Sequence, residues 1–311
     1  MFRNKEYILT VYREGSFTKA AEKLFISQPS LSASIKRIEE KILAPIFDRS
    51  SSPITLTEVG KEYVKYALEI ENKEKDFASY VSDHENLLAG KIRIGGSSFF
   101  SSFVLPKMIS EFNKEYPKIA FEIFEDSTKN LMNKLSSGDL DVVIDNAIID
   151  DESIVSEIYK QELLLLAVPK RLDANAKLKD FKLSADDVKK DKHLTASSVD
   201  LSAFKDYPFI LLNPENDTGK RAEKLFKKNS ISPKVLFHLD QQLTAYNVSC
   251  SGMGISFVSD TLVKCMGAQP NVYYYKLSDK SAARTIYFYQ KHNHYLSLAC
   301  RKFIEYNTDN H

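Results

Sequence analysis

A run of short polar side chains followed by two cations is the first feature of the sequence that could recognise another molecule. Gln28 offers an amide that pairs bidentately with adenine, and Pro29 offers an apolar edge to a thymine methyl group. Lys36 and Arg37 carry the charge that suits phosphates. The pattern predicts a DNA-reading segment, and its candidate contacts are Ser27, Gln28, Pro29, Ser30, Ser32, Lys36, Arg37 and Arg49.

A second set of polar side chains directly follows three predicted strands. Its members are Ser97, Ser98, Thr128 and Asn146. In open α/β sheets, ligands bind outside the carboxyl ends of the strands, where helix N-termini offer free N–H groups. We therefore expect a ligand pocket at this edge of the sheet, although each hydroxyl alone could equally be a helix cap.

Three helical patterns, over residues 2–13, 17–24 and 28–42, would position the first set. The apolar stripe of the third helix consists of Leu31, Ile35, Ile38 and Ile42. Ser27 is a suitable N-cap, and Pro29 fits the first helical turn because its missing N–H costs little there. Two helices joined by a tight turn, the second with a polar start, form a helix-turn-helix that enters the major groove.

The segments after the third helix indicate a wing and a connector. Extended pieces at 46–49 and 54–57 predict a small hairpin, and a helical pattern then continues to about residue 88. A helix of about 30 residues greatly exceeds the globular average, so we expect a coiled-coil-like linker that pairs two copies. Residues 1–57 carry a net charge of +3 and the remainder −2, so the positive field lies at one end.

Beyond residue 90 the pattern changes to strands that alternate with helices. This rhythm runs to about residue 168 and resumes after residue 208. Alternation of this kind predicts a largely parallel sheet with crossover helices. We therefore expect two α/β lobes behind the helical head.

The composition excludes several other classes of protein. The chain has 311 residues with 43% hydrophobic residues, 27% charged residues and a net charge of +1, which is typical of a globular protein and not of a uniformly basic coat protein. Its longest apolar run, residues 163–168, is too short to cross a membrane, and the N-terminus has no apolar signal core. Three cysteines without a CxxC motif predict neither disulfides nor a zinc site, so we expect a cytoplasmic protein without a cofactor.

The sequence closely resembles the LysR-type transcriptional regulators over residues 15–61, which read GSFTKAAEKLFISQPSLSASIKRIEEKILAPIFDRSSSPITLTEVGK. The positions that match the family pattern are Gly15, Ser16, Phe17, Thr18, Ala20, Ala21, Leu24, Ser27, Gln28, Pro29, Leu31, Ser32, Ile35, Glu39, Phe47, Arg49, Leu56, Thr57 and Gly60. The resemblance implies a winged helix-turn-helix domain at 1–57, a linker helix at 58–89 and an effector-binding domain at 90–311. That last domain is expected to have a two-lobed α/β fold like that of periplasmic solute-binding proteins.

The resemblance also implies where the lobes and their ligand lie. The first lobe is expected at about 91–167 plus 268–304, and the second at about 168–267, with the effector in the cleft between them. By this resemblance, Ser98, Thr128 and Asn146 match positions that contact the ligand in the family, and Ser97 is adjacent to them. On the second lobe, Asn213 and Gln241 are further candidates. Asp126 and Asp145 stand near this edge, so we expect a neutral, zwitterionic or cationic effector, because a like charge in a partly dry site is costly.

The resemblance implies a ligand-responsive regulator that forms a homodimer, and further a homotetramer, on a roughly palindromic operator. One rival is a solute-binding protein of the same two-lobed fold without a role in transcription. The other is an enzyme, although no nucleophile elbow, phosphate loop or metal cluster stands out.

Three departures from the family pattern affect these expectations. Leu43 replaces a glycine, and a left-handed conformation there would cost leucine about 1 kcal/mol more than glycine. Ala33 replaces a frequent arginine, and the wing at 50–53 has no basic residue. We therefore expect a shallower salt dependence of DNA binding than in a relative with a basic wing.

Overall fold

A computed structural model describes residues 2–50, 53–84, 90–267, 269–292 and 294–309. The chain divides into two compact units, residues 1–85 and 86–311. Within the described ranges, no helix is both long and apolar enough to cross a membrane.

In its described residues, the first unit contains four helices and a two-stranded hairpin. Their bounds are α1 Lys5–Glu14, α2 Phe17–Lys23, α3 Gln28–Ile42, β1 Phe47–Asp48, β2 Thr55–Leu56 and α4 Glu58–His84. The predicted bounds of the third helix are confirmed, because Ser27 caps it and Leu31, Ile35 and Ile38 are buried beneath it. Serines 51 and 52, at the tip of the predicted wing, lie outside the described residues.

The long helix α4 packs as part of the first unit over most of its length. Tyr63, Val64 and Ala67 are buried in the same apolar core as the first three helices. Further along, two ion pairs attach α4 to α1, one between Lys5 and Glu74 at 2.9 Å and one between Arg13 and Glu71 at 2.8 Å. The first four turns of the expected linker helix therefore pack against the other helices of the first unit. Residues 85–89, the end of the expected linker, lie outside the described ranges.

Two positions with unusual backbone requirements lie at the end of α3 and at the start of α4. Leu43 ends α3 in the left-handed conformation, with φ 58°, and its side chain is 92% exposed. Gly60 lies in the first turn of α4 so close to the wing that an added Cβ would stand 2.0 Å from the carbonyl oxygen of Ile46. The first position is strained and the second requires glycine.

The part of the second unit that the structure describes is a nine-stranded sheet covered by helices. The strands are β3 Gly90–Gly96, β4 Ile119–Glu125, β5 Val142–Asp145, β6 Ile154–Pro169, β7 Pro208–Leu212, β8 Lys234–Leu239, β9 Ile255–Ser259, β10 Val272–Lys276 and β11 Ala283–Lys291. The α-helices are α5 Leu105–Glu115, α6 Thr128–Ser137, α7 Ala174–Lys177, α8 Ala185–Lys189, α9 Lys192–Thr195, α10 Asp217–Lys228, α11 Gln242–Cys250, α12 Asp260–Met266 and α13 Leu298–Asp309. A π-helical turn, Phe100–Val104, precedes α5.

The sheet is mixed, which corrects the prediction of a largely parallel sheet. Its order is β4-β3-β5-β11-β6-β9-β7-β8, with β10 also paired to β6. The pairs of β3 with β4 and β5, and of β7 with β8 and β9, are parallel. All pairs that involve β6 or β11 are antiparallel, because these two strands carry the chain between the lobes in opposite directions.

Strand pairing also bears on the expected lobe boundaries. Up to Leu163, β6 pairs with β11, whereas its remaining residues pair with β9 and β10. Strand β10 was expected in the first lobe. Its Tyr275 is buried in one apolar cluster with Phe209, whereas its Tyr274 is buried in another with Phe288. The pairing partner of β6 thus changes between Leu163 and Leu164, and β11 begins at Ala283, whereas the crossings were expected near residues 167 and 268.

Candidate DNA-binding surface and effector cleft

The start of α3 presents an exposed polar surface. Ser27 is the N-cap, and its side chain accepts a hydrogen bond from the N–H of Ser30 at 3.3 Å. Gln28, Pro29 and Ser30 are all exposed, while Leu31 anchors the helix in the core. Of the predicted contacts, Ser27 has a defined structural role, and the side chains of the next three are accessible to a partner.

The three basic residues predicted to contact phosphates differ in their interactions with the rest of the protein. Lys36 and Arg37 are exposed on α3 two turns or more after its start. Arg49 instead pairs with Glu39 at 3.0 Å, and its guanidinium lies 5.1 Å from the ring centroid of Phe17. Ser32 is half-buried, and its Oγ lies 3.5 Å from Arg49. Arg49 therefore holds the wing against α3 as well as facing solvent.

Glu39 matches the family pattern, but the sequence analysis assigned it no role on this surface. Its carboxylate accepts hydrogen bonds from the N–H groups of Ile46 at 2.8 Å and Phe47 at 3.3 Å, in addition to the pair with Arg49. A charged residue four positions after Ile35 in the apolar stripe was the signal. Such a carboxylate on a core-facing position needs donors, and the start of the wing supplies them.

In the second unit, the carboxyl ends of β3 and β4 meet at one edge, with β5 beside them. Gly96 pairs with Glu125 on one side and Ile144 on the other. The hydroxyl of Ser98 donates a hydrogen bond to Glu125, and Ser97 next to it is half-buried. The structure thus places the two predicted serines beside the carboxyl end of β4.

Thr128 and the two aspartates at this edge are in different environments. The Thr128 hydroxyl donates to Asp145 at 2.8 Å, and burial raises the pKa of the Asp145 carboxyl. Asp126 stands near this edge, as expected, and pairs with Lys134 of α6 at 2.9 Å. The hydrogen bond from Lys134, with one from Asn130, lowers the pKa of Asp126. Its charge is therefore compensated within α6.

A buried polar network connects the first lobe to the second. The Asn146 amide donates to Glu162 at 3.2 Å, and the Arg284 guanidinium donates to the same Glu162 oxygen at 2.6 Å. Arg284 also donates to Asp217 at 3.1 Å and to the Thr218 hydroxyl at 2.8 Å, both at the start of α10. The network therefore runs from the end of β5, across β6 and β11, to the second lobe.

The two second-lobe candidates lie beside this network rather than in it. Asn213 donates to Asp240 at 2.5 Å, and Gln241 is the N-cap residue of α11 without a side-chain cap bond. The next residue, Gln242, is the one that reaches inward, where its amide donates to Thr218 at 3.3 Å and accepts from Ser259 at 3.3 Å. Gln242 is therefore a stronger candidate than Gln241.

The sequence analysis missed most of the network. Its unforeseen members are Glu162, Asp217, Thr218, Gln242, Ser259 and Arg284. A signal existed for Glu162, which directly precedes the apolar run 163–168, because charged residues beside such a run are buried only when they are paired. Its partnership with Arg284 could not be read from the sequence.

Comparison with known proteins agrees with both halves of this description. Residues 2–61 match the family described as bacterial regulatory helix-turn-helix protein, lysR family, and residues 85–310 match the LysR substrate binding domain. An uncharacterized HTH-type transcriptional regulator of Bacillus subtilis, YcgK, is 27% identical over 98% of this chain and 93% of its own. A probable RuBisCO transcriptional regulator of Trieres chinensis is 28% identical over 81% of this chain and 78% of its own.

Solved structures share the fold. A variant of full-length OxyR from Pseudomonas aeruginosa has a TM-score of 0.70 at 22% identity, covering 99% of this chain and 93% of its own. Full-length CbnR in complex with its target DNA has a TM-score of 0.64 at 16% identity, covering 100% of this chain and 99% of its own.

The match at residues 2–61 favours a regulator over a solute-binding protein of the same two-lobed fold. The chain belongs to the LysR family of DNA-binding transcriptional regulators, which respond to small-molecule effectors and act as oligomers.

Proposed function

We propose that the start of α3 reads the operator through Gln28, Pro29, Ser30 and Ser32, with Lys36 and Arg37 on phosphates. One observation carries this assignment. The side chains of Gln28, Pro29 and Ser30 are exposed in the first turn of α3, while the opposite face of the helix is buried. Such a helix presents its first residues to base edges in the major groove. Ser27 caps the helix, and Arg49 contributes by holding the wing in place.

Footprinting of the full chain on its own upstream DNA tests this assignment. We expect protection of a roughly palindromic site, and we expect Gln28→Ala to lose it, since a bidentate amide contact carries about 1–3 kcal/mol of base discrimination. Gln290→Ala, in β11 of the second unit, serves as the matched amide control and should protect as the wild type does. Unchanged protection by the Gln28 variant would contradict the assignment.

For the effector we propose the cleft between the lobes, at the edge formed by Ser97, Ser98, Thr128 and Asn146. Asn213 and Gln241 stand on the opposite lobe, with Gln242 next to them facing the network. Binding at this place would bias the packing of the two lobes and so change operator binding or bending, provided that the effector has different affinities for the two states.

The hydroxyls and amides of the proposed site already donate to carboxylates, which favours a neutral, zwitterionic or cationic effector. Ser98, Thr128 and Asn146 donate to Glu125, Asp145 and Glu162, respectively. Calorimetry with a panel of amines, amino acids and carboxylates tests the preference. Tight binding of a carboxylate that Thr128→Val abolishes would contradict it, while Thr285→Val on β11 controls for loss of a hydroxyl elsewhere.

Assembly is proposed through α4. Three of its aromatic side chains are at least half exposed, namely Tyr66, Phe77 and Tyr80. An exposed apolar stripe on a long helix favours pairing with a second copy, as in a two-stranded coiled coil. We propose a homodimer that pairs further into a tetramer, and sedimentation of wild type against Phe77→Glu tests this interface.

We propose further that the chain acts in the cytoplasm, where its operator is, and that it binds its effector without converting it. Its relatives are transcriptional regulators. Turnover of any ligand that binds the cleft would contradict the second statement.

A further inference from the structure

A cavity of about 620 Å³ lies between α5, α12, α13 and β6. Its apolar wall includes Phe103, Met108, Tyr159 and Tyr306. This volume falls in the range of small-molecule sites, which are mostly apolar and contain a few convergent polar groups. The residues proposed for the effector cleft do not line it.

Three lysines line this cavity, and within the described ranges two of them, Lys107 and Lys160, form no direct ion pair with a carboxylate. Lys264 pairs with Asp191 at 2.6 Å and with Asp260 at 3.5 Å. Lys107 is exposed, and Lys160 is half-buried with its Nζ 5.4 Å from the ring centroid of Tyr159. Burial lowers the pKa of Lys160, because the charges of Glu162 and Asp260, which act in the opposite direction, only partly offset the loss of solvent.

The acidic side of the cavity is already neutralised. Glu111 is the acidic residue of the lining, and Lys114 on the same helix pairs with it at 2.7 Å. A ligand would therefore meet an apolar wall and an excess of positive charge. Such a combination favours an organic anion over a cation or a neutral amphiphile.

We infer that this cavity is a second ligand site, which takes a small organic acid with an apolar or aromatic body and places its carboxylate between Lys107 and Lys160. The apolar body would bury against Phe103, Met108 and Tyr306. The carboxylate would give Lys160 a direct ion-pair partner in addition to the more distant charges of Glu162 and Asp260. This site would bind independently of the operator and of the cleft.

Calorimetry of the full chain with 1-naphthoate, 4-phenylbutyrate and decanoate tests the inference, with the primary amide of each as the uncharged control. We expect at least one acid to bind about tenfold or more tightly than its amide, since hydrogen bonds to charged groups contribute that much. Lys160→Met should abolish this difference at nearly constant side-chain volume. Lys302→Met, on α13 outside the cavity lining, should leave it unchanged.

Cys265 offers a second readout, because it lines the cavity and is exposed. The acid that binds should slow iodoacetamide labelling of Cys265, measured by peptide mapping, while its amide at the same concentration should slow labelling less. Should Lys160→Met fail to fold, Lys107→Met at an exposed position replaces it. The inference is overturned if no acid binds more tightly than its amide, or if the acid that binds leaves Cys265 labelling unchanged.

Discussion

Nε of Arg284 lies 2.6 Å from Oε1 of Glu162, and the two side chains are 1% and 0% exposed. The two residues are neighbours across β11 and β6, the strands on which the chain passes between lobes. Removal of one partner leaves an uncompensated buried charge, whereas removal of both does not. The stability of the region between the lobes therefore depends on the presence of both charges of this pair.

We expect Arg284→Met to destabilise the chain by about 3–5 kcal/mol, because Glu162 and Asp217 would lose their shared donor. Glu162→Gln combined with Arg284→Met should recover a substantial part of this loss. Urea unfolding of the two single variants, the double variant and wild type gives the coupling energy. Additive losses would show that the two side chains do not depend on each other.

Leu43→Gly is expected to stabilise the first unit by about 0.5–1 kcal/mol. Leu43 has φ 58° and an exposed side chain, so glycine relieves backbone strain without loss of packing. Thermal unfolding monitored by circular dichroism measures the gain. Leu43→Ala is the control, since alanine retains the Cβ and should give no such gain.

Gly60→Ala should have the opposite effect on the same unit. The added Cβ would stand 2.0 Å from the Ile46 carbonyl oxygen, so either α4 or the wing must move. We expect a loss of at least about 2 kcal/mol, together with weaker DNA binding, as overpacking against rigid backbone is costly. Glu62→Ala, at an exposed position two residues along α4, should unfold as wild type does.

The salt dependence of DNA binding should distinguish the basic side chains of the first unit. Lys36→Gln or Arg37→Gln should each reduce the slope of log K against log salt by about 0.9 for every phosphate that the variant no longer neutralises. Arg49→Gln should weaken binding with a smaller change in slope, because Arg49 is already paired with Glu39. Fluorescence anisotropy over a series of salt concentrations, with Lys302→Gln as control, measures both quantities. Equal slopes for all variants would count against these contacts.

Asp260 should make stability depend on acid pH. Burial raises the pKa of its carboxyl, but hydrogen bonds from His193 and the Leu163 N–H, with the charge of Lys264, outweigh burial and lower the pKa below 3.8. A carboxyl whose pKa is lower in the folded state stabilises that state at pH values above its pKa in the unfolded chain. This stabilisation is lost as the pH falls through the pKa of the folded state. Wild type should therefore exceed Asp260→Asn in stability at neutral pH, with the difference shrinking below pH 3.8.

Urea unfolding of wild type and Asp260→Asn at a series of pH values from neutral to about 3 measures this dependence. Asp173→Asn, at an exposed position in the second lobe, controls for general loss of negative charge. A difference that stays constant over the whole series would show that the Asp260 carboxylate does not contribute through its ionisation.

The sequence by itself determined the local parts of this protein. The cap at Ser27 and the stripe from Leu31 to Ile42 predicted α3 with its observed bounds, because helix periodicity and capping depend on residues within a few positions of each other. The order of strands and helices likewise predicted that Ser98 and Thr128 would stand near one sheet edge. The pattern at residues 15–61 predicted the family, and with it the two-lobed effector-binding domain.

Only the tertiary structure decided which distant residues became partners. Arg284 and Glu162 are 122 positions apart, and the sequence does not indicate that these two residues pair with each other. Strand β10 became a partner of β6 from a distance of about a hundred residues, and the packing of four elements brought Lys107 and Lys160 to one cavity. These outcomes depend on strand register and on which faces pack together, and neither is encoded in local periodicity.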